Sequence, residues 1–182
     1  LQTIEEANNH LRTGFLGTPL LAPVLQSMGR SDLMFDILFK ETYPSWFHSI
    51  NNGATTTWER WDSYSQKDGF HRANMNSLNH YAYGAVAEWF YTGILGVRSQ
   101  SPGFEHFVVG PQFTPKLSSA KGSIQTVNGI IDVNWQVVGD QLSMTLVVPA
   151  NSLATLQLPS VQQRLVSEDK RPVRSDHLPA GS

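Results

Sequence analysis

The chain has 182 residues, 40% hydrophobic, 15% charged and 10% aromatic, which is the profile of a globular protein with a core and excludes a disordered or fibrous chain. Thirteen basic and fifteen acidic side chains leave a formal charge of -2; with no basic run and no stretch of roughly 18 to 20 apolar residues, neither a nucleic-acid partner nor a membrane span is expected. The absence of cysteine excludes disulfides and thiolate metal sites and leaves the compartment open.

Up to about residue 100 the apolar residues recur at helical spacing. In GTPLLAPVLQSMG, Thr18 is the expected N-cap and Pro19 the first helical residue. Leu20, Leu21, Val24, Leu25 and Met28 form the apolar stripe, and Gly29 is the stop. Ser31 is expected to cap a second helix with Leu33, Met34, Ile37 and Leu38 on its apolar side, the short link through Gly29 making an antiparallel hairpin. Pro44 breaks the pattern. Residues 46–76, rich in Asn, Gly, Thr and Ser, are too long and too polar for a simple connector, and such loops are commonly functional. A third helix of about five turns is expected from about Asn76 to Leu95, carrying Leu78, Tyr81, Ala82, Ala85, Trp89 and Phe90 and ended by Gly96.

Beyond residue 100 the period becomes two. The run from Gly122 to Pro159 alternates apolar and polar residues, with Asn128-Gly129 and Gly139-Asp140 as expected hairpin turns, and predicts an antiparallel β-domain. Ile130, Val133, Trp135 and Val137 cannot share one face, which predicts a bulge or register change near Ile131. The final VSEDKRPVRSDHLPAGS reads as a weak edge strand or a tail.

The candidate chemistry lies in the long polar stretch. GATTTWERWDSYS brackets Glu59 between Trp58 and Trp61. One reading is structural: two aromatics anchor a loop while Glu59 pairs with Arg60 or Arg72 at the surface. The other is a sugar site, in which indole faces cover the apolar side of a pyranose and a carboxylate handles protons. Inverting glycoside hydrolysis requires two carboxylates about 6.5 to 9.5 Å apart, and Glu59 qualifies as one. MNSLNHYAYG adds Asn74, Asn76 and Asn79, expected to cap the third helix, and His80. His80 is either a satisfied core histidine or a neutral imidazole that hydrogen-bonds a sugar hydroxyl. Glu88 is expected to face solvent or a helix neighbour. No phosphate-cradling glycine loop and no Gly-x-Ser-x-Gly elbow occurs. His10, His48, His71, His80, His106 and His177 lack metal-ligand spacing, so neither cofactor nor metal is expected.

TGFLGTPLL, YPSW, GATTTWERW and MNSLNHYAYG are individually distinctive and fall in a fixed order. Over about residues 8–113 the chain closely resembles the end of the catalytic domain of bacterial α-L-rhamnosidases of glycoside hydrolase family 78. The β-region is a less specific match to that family's C-terminal β-sandwich. The resemblance implies the final helices of an (α/α)6 toroid in residues 1–100, followed in residues 101–182 by an antiparallel, jelly-roll-like β-sandwich that stops short of its last strand. It implies hydrolysis of terminal α-L-rhamnosyl groups of glycosides or polysaccharides with inversion, Glu59 as general base, His80 as a contact to rhamnose, and Trp58 and Trp61 as pocket walls. The family's general acid sits on an upstream acidic motif with no counterpart here, since Glu5 and Glu6 lie too close to the late-barrel motifs. Three helices cannot close a toroid of six hairpins. The remainder of the barrel is therefore expected from a preceding segment or another chain, and the isolated chain is expected to be inactive. The alternatives are another six-hairpin glycosidase or a glycoside phosphorylase, a carbohydrate-binding module that stacks sugars on Trp58, Trp61 and Trp135, or a packing role for the β-part.

Overall fold

The computed structural model describes residues 4, 6–158, 167–168 and 171–172. Glu5, His177 and most of the final run, on which the edge-strand and truncated-sandwich expectations bear, lie outside the described residues.

The helical layer opens with α1 (Thr18–Ser27) and α2 (Ser31–Leu38). Gly17, rather than Thr18, takes the cap position of α1; Thr18 is already helical because its hydroxyl donates to Gly14 O at 2.9 Å in the preceding turn. Gly29 stops α1 as expected. Its φ is +69°, its N–H donates to Gln26 O at 3.0 Å, and Arg30 N–H donates to Leu25 O at 2.8 Å, a Schellman closure in which glycine takes the left-handed conformation without a Cβ penalty. The tight reversal draws Ser31 into the first turn of α2, so Ser31 does not cap it and Arg30 stands at the cap position. Leu33, Met34, Phe35, Ile37 and Leu38 are buried against Ala22 and Leu25. The outer side of the expected α1 stripe is not: Leu20, Val24 and Met28 are exposed.

The long stretch after Pro44 is not a bare loop. It holds α3 (Trp46–Asn51), capped by Ser45 Oγ accepting from His48 N–H at 3.0 Å, and a short hairpin of β1 (Tyr64–Ser65) and β2 (Gly69–Phe70). The next helix, α4, starts at Ala82 rather than near Asn76. It runs as a 3-10 segment (Ala82–Val86), a short α-helical segment (Ala87–Trp89) and a π-helical segment (Phe90–Ile94). Residues 77–80 do not join it: backbone groups of Ser77, Leu78 and His80 bond to residues 56–59, and Asn79 N–H bonds to Ser77 Oγ. The wide final turn accompanies the fold of Trp89 over Gly93: a Cβ at Gly93 would lie 2.2 Å from Trp89 Nε1, which donates to Gln26 Oε1 of α1 at 2.9 Å. Gly96, at φ +78°, ends the helix as expected.

Among the described residues the β-part has two three-stranded sheets. In one, β3 (Val97–Ser99), β4 (His106–Val109) and β8 (Leu153–Leu156) lie in the order β3-β4-β8, with the β4–β8 pair parallel. In the other, β5 (Ser119–Thr126), β6 (Gly129–Val138) and β7 (Gln141–Val147) form an antiparallel meander. A short antiparallel pair joins β9 (Ser167–Glu168) to β10 (Arg171–Pro172). β6 keeps one register along its whole length, so the expected bulge near Ile131 is absent. Ile131, Val133 and Trp135 are buried at the period of two, and Ile130, 51% exposed, simply faces the other way. The first hairpin turns at Val127-Asn128, one residue earlier than expected, with Gly129 (φ +130°) already in β6; the second turns at Gly139-Asp140.

The sheets close the end of α4. Trp135 Nε1 donates to Ile94 O at 2.9 Å, and Arg98 donates to Thr92 O at 3.2 Å, Gly110 O at 3.2 Å and Gln157 Oε1 at 3.1 Å. Carbonyls that a helix end leaves without partners thus receive donors from the β-part. Leu95 sits on Gly122, where a Cβ would come within 2.4 Å of its Cδ1. Helices and sheets share one apolar core that runs from Leu25 and Phe35 through Trp89 to Phe107 and Trp135.

Candidate functional site

Two loops meet over the helical layer. The Thr56 hydroxyl donates to Leu78 O, His80 N–H donates to Thr57 O at 2.8 Å, and Glu59 N–H donates to Ser77 O at 2.9 Å. Ser77 N–H returns a bond of 2.7 Å to Glu59 Oε2. Residues 56–59 and 77–80 are clamped together in register, which places the two distinctive motifs GATTTWERW and MNSLNHYAYG side by side. Asn76 and Asn79 do not cap a helix: Asn76 Nδ2 donates to Ser63 O at 2.9 Å, and the main-chain N–H of Asn79 donates to Ser77 Oγ at 3.1 Å. Short polar side chains satisfy local backbone groups here that would otherwise enter a helical ladder.

Glu59 is half-buried. Among the described residues no cation pairs with it, so the surface-pair reading with Arg60 or Arg72 does not hold. Arg60 turns instead to Asp62, with Nε 3.4 Å from Oδ1, and the other Asp62 oxygen lies 3.5 Å from His71 Nε2. A bond of 2.7 Å from a peptide N–H is the short kind that carboxylates make. Oε1 has no protein partner among the described residues.

His80 precedes α4 instead of lying within it. Its ring lies against Phe15, at 5.4 Å and 56°, and Tyr81, at 5.8 Å and 8°. Ala82 N–H reaches Nδ1 at 3.4 Å, an arrangement that puts the ring proton of the neutral form on Nε2. Tyr81 is 86% exposed, so this aromatic group opens outward.

Trp58 and Trp61 are both buried. Trp61 stacks on Tyr83 at 3.7 Å and 21° and meets Trp46 edge-on at 5.2 Å. Trp58 meets Tyr64 edge-on at 6.2 Å. With Trp46, Ile50, Thr55, Thr57 and Tyr83 the two indoles line a cavity of about 310 Å³, whose lining includes neither Glu59 nor His80. The four expected site residues therefore fall into two pairs: a carboxylate and an imidazole on the clamp, and two indoles on a separate cavity. Burial pushes the Tyr83 phenol up from its ordinary value, as it does that of Tyr43, so both stay neutral hydrogen-bonding groups. Trp135 is buried in the sheet core and cannot act as an open stacking platform. Glu88 is exposed, as expected. Among the described residues no three His, Asp or Glu side chains gather around a metal-sized space.

Sequence reasoning missed Ser77, Thr56 and Phe15. Ser77 acts on Glu59 through its main chain, which no side-chain pattern announces. Phe15 was visible only as part of TGFLGTPLL.

Residues 1–94 match the family described as bacterial alpha-L-rhamnosidase 6 hairpin glycosidase domain, and residues 96–172 match the bacterial alpha-L-rhamnosidase C-terminal domain. The helical layer is part of a six-hairpin glycosidase domain, and the sheets are part of the C-terminal domain that follows it. The chain belongs to the bacterial α-L-rhamnosidase family. It is 58% identical over 160 residues to an alpha-L-rhamnosidase of Alteromonas sp. strain LOR and 49% identical over 160 residues to one of Formosa agariphila. Each match covers 88% of this chain but only 17% of the relative. The crystal structure of Streptomyces avermitilis alpha-L-rhamnosidase complexed with L-rhamnose superposes with a TM-score of 0.82 at 40% identity, over 85% of this chain and 15% of that one.

Proposed function

We propose that this chain forms the closing helices and the C-terminal β-sandwich of an inverting α-L-rhamnosidase, divided near residue 100. Glu59 is the general base and His80 contacts the sugar, while Trp58 and Trp61, buried on the neighbouring cavity, anchor the loop that carries Glu59 rather than wall the sugar. Glu59 Oε1 takes a proton from a water whose oxygen bonds to the anomeric carbon, opposite the leaving group. The glycosidic C–O bond breaks, and the departing oxygen takes a proton from a carboxylic acid outside this chain. The substrate is a terminal α-L-rhamnosyl glycoside or polysaccharide.

The observation that carries this reading is the state of Glu59. Its carboxylate is aimed by one peptide N–H and neutralised by no cation among the described residues, so it keeps lone pairs for a proton, and it is clamped in register with His80. Family membership and the names of the relatives supply the sugar.

In the full-length polypeptide containing this chain, an aryl α-L-rhamnoside is expected to release β-L-rhamnose first, without phosphate, as followed by proton NMR. The 182-residue chain alone is expected to give no turnover. First release of the α-anomer, a requirement for phosphate, or robust Glu59-dependent turnover by the isolated chain contradicts the reading. A non-catalytic carbohydrate-binding role has one observation in its favour, the aromatic cavity that leaves out Glu59. It requires sugar binding that Trp58→Ala removes and Glu59→Gln leaves intact, in a protein without turnover.

A further inference from the structure

We infer that Ser77 is a positioning residue for the base. Its peptide N–H holds Glu59 Oε2, leaving Oε1 to face the water, and its hydroxyl closes the turn that seats Ser77 against Glu59. This rests on the assignment of Glu59 as base.

Glu59 N–H to Ser77 O, at 2.9 Å, and His80 N–H to Thr57 O, at 2.8 Å, already join the two loops. The bond from Ser77 N–H to Oε2, at 2.7 Å, adds little to that joining. What it does is immobilise a terminal carboxylate torsion that is otherwise broad and two-fold. A side chain that must meet a water and an anomeric carbon in line gains from such fixation, because misplacement by about 1 Å can cost on the order of 100-fold in rate. The hydroxyl contributes one step further out. Ser77 Oγ accepts from Asn79 N–H at 3.1 Å, closing a small turn over residues 77–79 that fixes the Ser77 carbonyl, the acceptor of Glu59 N–H, and so keeps Ser77 seated against Glu59. The next residue contact of the clamp, Thr56 hydroxyl to Leu78 O, braces the same turn from the other loop.

The test replaces Ser77, in the full-length polypeptide, with its α-hydroxy analogue, so that an ester oxygen stands where the N–H was and the side chain is unchanged. The expected result is a kcat on an aryl α-L-rhamnoside lowered roughly 10- to 100-fold with KM and melting temperature little changed. Ser77→Ala is expected to lower kcat less, and Ser77→Thr, which keeps the hydroxyl, to recover most of that loss. An ester variant with wild-type kcat, or one in which only KM rises, overturns the inference, provided Glu59→Gln is inactive. If Glu59→Gln itself turns over normally, the base assignment is what has failed. Should the ester variant melt early, the split between kcat and KM still decides: a merely structural residue loses active protein without changing KM-independent turnover per folded molecule.

Discussion

Glu59→Gln in the full-length polypeptide is expected to lower kcat on an aryl α-L-rhamnoside by roughly 10²- to 10⁴-fold, the usual worth of a positioned general base, while L-rhamnose binding persists. The substitution is nearly isosteric. The amide oxygen can still accept the Ser77 N–H that now holds Oε2 at 2.7 Å, and Glu59 has no ion pair to lose among the described residues. Folding and the clamp between the two loops are therefore retained, and the lost property is the ability to take a proton. Calorimetric titration with L-rhamnose beside steady-state kinetics separates the two quantities. Turnover within a few-fold of wild type would remove Glu59 from the mechanism.

Trp135→Ala is the substitution with the largest expected effect on stability. Trp135 is 1% exposed, meets Phe113 edge-on at 5.1 Å and donates its indole N–H to Ile94 O at 2.9 Å. Truncation leaves a cavity, and large-to-small changes of this kind cost about 3–5 kcal/mol. It also strands a carbonyl at the π-helical end of α4, adding about 1–3 kcal/mol where no water can reach it. For a unit of this size each kcal/mol lowers Tm by roughly 2–4 °C, so a drop on the order of 10 °C or more is expected in the transition that includes the β-part. Trp135→Phe keeps most of the apolar contact and should lose less. A thermal melt of Trp135→Ala that coincides with wild type would show that the β-part does not brace α4.

Part of this architecture was legible from residue types because the structure obeys local rules there. Gly29 and Gly139 sit at positive φ where a stop and a hairpin turn require it, and the alternation of Ile131, Val133 and Trp135 appears as burial. The expected bulge is absent because Ile130 does not belong to the inner face, and an exposed isoleucine on a one-sided strand needs no special geometry. The start of α4 was misplaced for a different reason. Leu78 and Tyr81 fit a helical period, but Ser77, Leu78 and His80 spend backbone groups on the loop carrying Glu59, and a period says nothing about backbone bonds made at a distance. The same clamp explains why Glu59 and His80 were recognisable as candidates while Ser77 was not. Arg60 follows Glu59 directly and looked like a partner; its guanidinium goes to Asp62 instead. The division of the expected site into a clamp and an aromatic cavity was also hidden, since adjacency in WERW does not fix which space each side chain enters.

A crystal structure of the full-length Glu59→Gln variant with an aryl α-L-rhamnoside bound tests the central assignment most directly. The account expects the anomeric carbon to face the side chain of residue 59 across one water, at hydrogen-bond distances of about 2.6–3.2 Å, with His80 Nε2 against a sugar hydroxyl and Ser77 N–H still holding the carboxamide oxygen. A sugar seated between Trp46, Trp58, Trp61 and Tyr83, with residue 59 turned away from it, would contradict that assignment.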